Sequence, residues 1–81
     1  MTHPFSIYVW KPPVSHTDTG AWIEQLQAFT QAYAIYTANL IHRDSKAVIK
    51  VVRYGITLAA FPNPETVERV ERQIASQQNQ H

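Results

Sequence analysis

The sequence predicts a small α+β domain in which a mostly antiparallel sheet carries two helices on one face. Three observations support this class: a hairpin pattern in the second half, a capped helix directly after it, and a β-rich run near the start. The hairpin runs from Val48 to Phe61 around the pair Tyr54-Gly55. Two apolar β-rich runs joined by a short glycine-containing turn are typical of paired strands.

The first half of the chain gives a strand followed by a helix. Residues 5–10 show the alternating side-chain pattern of a β-strand and are rich in aromatic and β-branched side chains. Lys11-Pro12-Pro13 ends this strand, because proline cannot donate a hydrogen bond to a neighbouring strand. A helix is expected to begin near residues 17–19, where Thr17, Asp18 and Thr19 are all suitable caps. Its apolar face then follows at helical spacing: Trp22, Leu26, Phe29 and Tyr33.

The segment 35–41 permits two interpretations. The 4-3-4-3-4 apolar spacing continues through Tyr36 and Leu40, which fits a first helix that extends to about His42 and pairs as a coiled coil. The segment is also rich in β-formers, and Asn39 is a poor helix-interior residue. We favour a strand, which gives the order β-α-β-β-β-α. The alternative order is β-α-β-β-α, with a long first helix.

The second half is predicted as strand 47–52, strand 56–61 and a helix that begins at Pro64. A two-residue turn pairs Arg53 with Ile56, Val51 with Leu58, and Ile49 with Ala60, so that one face is almost entirely apolar. The last helix is capped by Asn63, and Pro64 stands at its first position. Residues 1–76 then form a single domain, and residues 77–81 form a flexible tail.

Composition excludes several classes of function. The 81 residues have a formal net charge of +1 and no cysteine, which excludes disulfides and thiolate metal sites. This charge is far from the basic balance of proteins that hold duplex DNA or an anionic membrane. No apolar run is long enough to span a membrane, and the N-terminus lacks a signal-peptide pattern, so we expect a cytoplasmic protein.

Catalytic and metal-binding patterns are weak. The histidines lie in different segments without metal-ligand spacing; they are His3, His16, His42 and His81. The run Ser15-His16-Thr17-Asp18 contains the residue types of a nucleophilic site, but catalytic triads combine distant segments. We interpret the run as a polar loop that caps the helix. The sequence predicts no enzyme, no cofactor and no metal site.

The second face of the predicted sheet is the candidate binding site. If alternate residues of the first strand point to the helices, the others point away and join one face of the hairpin. No predicted element covers this face, and an exposed apolar patch usually marks an interaction site. Its predicted partner-binding residues are Tyr8, Trp10, Val48, Lys50, Val52, Thr57 and Phe61.

Two functions fit such a face. The first is a non-enzymatic regulatory or adaptor module that binds a protein partner, with a homodimer expected, because aromatic residues and few charges are typical of interface cores. The alternative is a single-stranded nucleic-acid-binding module that stacks bases on aromatics. The phosphates of the bound strand would contact Arg43, Lys46, Lys50 and Arg53. A small-molecule binder or an enzyme ranks third.

Overall fold

The structure, a computed structural model, describes residues 4–16 and 18–78, with side chains up to residue 76. Four strands and two helices follow in the order β-β-α-β-β-α: β1 Phe5–Lys11, β2 Ala21–Ala28, α1 Gln31–Ser45, β3 Ile49–Arg53, β4 Ile56–Phe61 and α2 Pro64–Gln78. The strands form one antiparallel sheet in the order β2-β1-β3-β4. The predicted α+β class, with an antiparallel sheet and two helices, is confirmed.

One face of the sheet, called the first face below, is covered by α1. It carries Ile7, Ile49 and Val51, which are fully buried and pair across β1 and β3. The helix contacts this face through Ala34 and Ala38, which are also fully buried. Because alanine side chains are small, the helix backbone approaches the strands closely, and Ile41 adds a half-buried side chain beside them.

The opposite face, called the second face below, is partly covered by α2. The helix buries Val67 and Val70, and the carboxylate of Glu71 forms an ion pair with Lys50 at 3.1 Å. Lys50 points away from the first face because it alternates with its neighbours along β3. The helices therefore lie on opposite faces of the sheet, whereas the sequence predicted both on one face. Both faces carry apolar side chains, so each requires a covering element.

Strand β2 replaces most of the predicted first helix. Its register with β1 shifts between Ile7 and Tyr8, which leaves Gln25 as the extra residue of a β-bulge. The bulge places Ile23 and Leu26 on the same face although they are three positions apart in the chain. The helix was predicted from the spacing of Trp22 and Leu26, but Trp22 pairs with Trp10 on the second face and Leu26 pairs with Ile7 on the first.

Helix α1 contains the segment 35–41, for which a strand was favoured. The helix begins after Thr30, whose hydroxyl accepts a hydrogen bond from the backbone N–H of Tyr33 at 3.2 Å. It ends at Lys46, which adopts a left-handed conformation with φ of 63°. The alternative interpretation of a helix through about His42 is thus correct for this segment, although not for its start. Packing of the alanines on the sheet outweighs the weak β-propensity of the segment.

The predicted two-residue turn is confirmed, but the hairpin contains a bulge. Tyr54 and Gly55 both have positive φ, and Arg53 pairs with Ile56 as predicted. The register then shifts, and Leu58 is the extra residue. The predicted pairs beyond this point are therefore wrong.

The bulge changes the face on which the end of β4 lies. Val51 pairs with Ala59, and Ile49 pairs with Phe61, so both β4 residues join the first face. The ring of Phe61 lies 6.2 Å from that of His42 on α1. Phe61 is thus part of the core side of the sheet, contrary to its predicted place on the binding face.

The connection between β1 and β2 is organised by Asp18. Its carboxylate accepts hydrogen bonds from the backbone N–H of Gly20 at 3.0 Å and of Val14 at 3.3 Å. These bonds, chiefly the one from Gly20, hold the pKa of Asp18 below its ordinary value. Asp18 therefore stabilises the loop between β1 and β2 and is not the N-cap of the predicted helix. Thr17, another predicted cap, lies outside the described residues.

The C-terminal helix is confirmed, and it continues to Gln78, into the segment that was predicted as a flexible tail. The side chain of Asn63 accepts a hydrogen bond from the backbone N–H of Thr66 at 2.8 Å, as a capping residue does. Residues 79–81, the rest of the predicted tail, lie outside the described residues.

Substitution of Gly20 by alanine should destabilise the fold by about 1–3 kcal/mol, because φ is +76° and the new Cβ would lie 2.8 Å from the Trp10 ring and from the Lys11 carbonyl oxygen. Gly55→Ala is the matched control, since φ is +74° and no atom lies within 4 Å of its Cβ. Urea unfolding of the two variants should give a larger loss for Gly20→Ala. Equal losses would show that the contact with Trp10 contributes nothing.

Candidate functional site

The predicted partner-binding residues do not form one continuous surface. Phe61 lies on the first face, and Val48 precedes β3, where its carbonyl accepts a hydrogen bond from Trp10 N–H at 2.8 Å. The remaining five lie on the second face: Tyr8, Trp10, Lys50, Val52 and Thr57. Of these five, only Thr57 is exposed, and Trp10 is buried.

Trp10 is enclosed within the subunit. Its exposed fraction is 7%, and its ring lies 5.5 Å from the ring of Trp22, its partner across β1 and β2. Gly20 approaches the far edge of the same ring. Trp10 is therefore unavailable as an anchor for a partner, and the sequence missed this because Trp22 was placed in a helix.

Lys50 is the centre of a small polar and aromatic cluster. Its ammonium lies 4.4 Å from the centre of the Trp22 ring and 5.7 Å from that of the Tyr8 ring, in addition to its ion pair with Glu71. Only 16% of its side-chain surface is exposed. Cation–π contacts of a desolvated ammonium are worth about 2 kcal/mol. Lys50 therefore fixes α2 to the sheet and is not free to bind phosphate.

A shallow groove of about 440 Å3 remains open on the second face, apart from a smaller cavity of about 210 Å3 between β4 and α2. It lies beside the hairpin turn, at the end of the sheet far from the Trp10–Trp22 pair. Its side chains include two predicted site residues, Tyr8 and Val52, both half-buried. The groove thus retains only part of the predicted binding face.

The cations proposed for nucleic-acid binding are dispersed. Arg43 and Lys46 lie at the C-terminal end of α1, while Lys50 belongs to the cluster described above. The guanidinium of Arg53 lies 4.7 Å from the Phe5 ring and 4.9 Å from the Tyr54 ring. No continuous basic track links these four residues among the elements described.

An exposed aromatic surface lies on α1, on the side away from the sheet. Its side chains follow the 4-3-4 spacing, and we call them the outer stripe: Phe29, just before the helix, and Tyr33, Tyr36 and Leu40 within it. Their exposed fractions are 75%, 60%, 61% and 43% respectively. The buried Ala34 and Ala38 lie on the opposite side of the helix.

The outer stripe also lacks charge. Between Gln31 and His42 the helix contains no aspartate, glutamate, lysine or arginine. A helix face exposed to water normally carries charged and polar residues. The spacing of the stripe is visible in the sequence, but its exposure is not, because periodicity does not reveal which of two apolar faces packs on the sheet.

The residues considered for catalysis lie in different elements of the fold. His16 and Ser15 are exposed in the loop organised by Asp18, while His42 lies on α1 with Nδ1 at 2.7 Å from the carbonyl oxygen of Ala47. His3 and His81 lie outside the described residues. Among the residues that are described, no three histidine, aspartate or glutamate side chains are grouped for a metal ion.

Replacing Lys50 by methionine should lower the free energy of unfolding by about 1–2 kcal/mol, because the ammonium contacts with the rings and with Glu71 are lost. Glu71→Gln is the matched control, which keeps the ring contacts and should cost less because Glu71 is 45% exposed. Urea unfolding measures both. An unchanged midpoint for Lys50→Met would refute the role of this cluster in fixing α2.

Neither of the two described helices is long and apolar enough to cross a membrane. Comparison of the chain with protein-family models, curated proteins and solved structures gives no match. The surfaces of the chain itself are therefore the guide to its function. The strongest of them is the outer stripe.

Proposed function

We propose that this chain is a small non-enzymatic interaction module, regulatory or adaptor in role, that binds protein through the outer stripe of α1. The single observation that carries this proposal is a solvent-facing helix surface with three aromatic rings and a leucine but no charge. Large aromatic side chains at helical spacing are the usual anchors of a helix that docks on another protein. The proposal moves the binding surface from the predicted sheet face to the helix.

The chemistry of the stripe favours protein over nucleic acid. A partner that covers Tyr33 and Tyr36 removes apolar rings from water, while the hydroxyl groups remain at the rim where they can form hydrogen bonds. Single-stranded nucleic acid requires cations beside the stacking rings. The cations nearest to the stripe in the helix are confined to its last turn and cap, Arg43 and Lys46. Nucleic-acid binding therefore stays second to protein binding.

Photo-crosslinking tests this proposal. A benzophenone-bearing phenylalanine derivative replaces Tyr36, which is 61% exposed in the stripe, or Val14, which is 84% exposed in the β1–β2 connection. Irradiation in cells that make the protein should give a discrete protein adduct from position 36 and none from position 14. The adduct is separated by electrophoresis and identified by mass spectrometry.

A second substitution controls for chance encounters. Tyr33→Glu in the same chain should abolish the adduct from position 36, because a carboxylate in the centre of the stripe must be desolvated on binding. Equal adducts from positions 36 and 14 would contradict the proposal. So would an adduct that nuclease treatment removes, since that result identifies nucleic acid as the ligand.

A further inference from the structure

We infer that the outer stripe binds a second copy of this chain, with the two α1 helices packed antiparallel about a two-fold axis. This inference rests on the proposed function and names the partner. In the resulting dimer the two α1 helices lie between the two sheets, and each α2 lies on the outer face of its sheet. Three properties of the stripe support it: its spacing, its charge and its area.

The spacing of the stripe is that of a helix seam. Alternating steps of four and three residues keep side chains on the line along which two helices pack at about 20°. In an antiparallel pair, Phe29 of one copy lies opposite Leu40 of the other, and Tyr33 lies opposite Tyr36. The two central layers therefore pair tyrosine with tyrosine, and the two outer layers pair phenylalanine with leucine.

The charge of the surface suits a copy of itself. In a homodimer each charge beside a two-fold interface is duplicated, so like charges at the seam oppose pairing. The positions that flank the stripe within the helix include Ala32, Thr37 and Asn39, none of them charged. Arg43 and Asp44 stand in the last turn. An antiparallel pair places the last turns of the two helices at opposite ends and keeps these charges apart. In a parallel pair, Arg43 would lie beside Arg43 of the other copy, and Asp44 beside Asp44.

The area is sufficient for a weak dimer. An aromatic side chain buries about 150–250 Å2 when it is covered, so the exposed parts of the stripe offer roughly 400–500 Å2 per copy. The pair would bury about 800–1,000 Å2, the lower limit for a specific interface. We therefore expect reversible association with a dissociation constant in the micromolar range or weaker.

Sedimentation equilibrium of the purified full chain tests the inference. Between about 1 μM and 1 mM, which brackets the affinities of weak complexes, the average mass should rise from 9.3 kDa toward twice that value. Tyr36→Glu should remain at the monomer mass over the same range, with an unchanged circular dichroism spectrum. Val14→Glu is the control for an added charge at an exposed apolar residue and should associate like the unmodified chain.

A charge-swap variant tests the orientation. Tyr33→Lys combined with Tyr36→Glu places lysine opposite glutamate in the antiparallel pair, so association should recover relative to Tyr36→Glu alone. A parallel pair would place lysine opposite lysine and would stay dissociated. Failure of the double variant to associate would therefore overturn the antiparallel arrangement.

The outcomes separate this inference from the proposed function. A chain that stays monomeric at all concentrations, or whose association is unaffected by Tyr36→Glu, overturns self-pairing. If position 36 then still crosslinks to a different protein in cells, the interaction module stands with another partner. If position 36 gives no specific adduct either, both proposals fail.

Discussion

The contact of two alanines with the sheet determines the layout of this protein. Ala34 and Ala38 are fully buried against a face that already contains Ile7, Ile49 and Val51. The space between helix and sheet is filled largely by strand side chains, and the helix adds these small groups together with the half-buried Ile41. The side chains of the outer stripe lie on the other side of the helix, where 43% to 75% of each remains exposed. The outer stripe is thus a direct result of how the core is packed.

The second face follows a different principle. There a charged residue, Lys50, connects the sheet to α2 through an ion pair and two aromatic rings. The lysine stem and the ring of Trp22 cover apolar surface while the ammonium keeps a carboxylate partner, which is how a long cationic side chain can be largely buried. This arrangement closes most of the face that the hairpin would otherwise expose. It also explains why a lysine in a β-strand is a poor guide to nucleic-acid binding.

The sequence predicts the second half of the chain well, because local signals there are strong. The turn at Tyr54-Gly55 and the cap at Asn63 both depend on residues close in the chain. Prediction fails where a bulge intervenes, since one extra residue at Gln25 or Leu58 changes the face of the rest of its strand. A bulge has no reliable signature in a single sequence. The same limit explains why Phe61 was assigned to the binding face.

The candidate site was anticipated only in part. The residues at positions 29, 33, 36 and 40 were recognised as a helix seam, but the sequence cannot separate a seam that faces the core from one that faces water. Two apolar faces on one helix compete for the sheet, and the choice depends on residual space in the core, which is a tertiary property. The alanines are the deciding residues, and alanine carries little weight in any hydrophobic pattern.

The outer stripe and the groove lie on opposite sides of the sheet. The outer stripe belongs to the helix that covers the first face, whereas the groove beside Tyr8 and Val52 opens on the second face. A partner on the stripe therefore leaves the groove uncovered. In the antiparallel pair the two helices lie between the sheets, so both grooves face outward at opposite ends of the assembly. Pairing through α1 thus buries the most apolar surface of the chain while it keeps the second face of each sheet accessible.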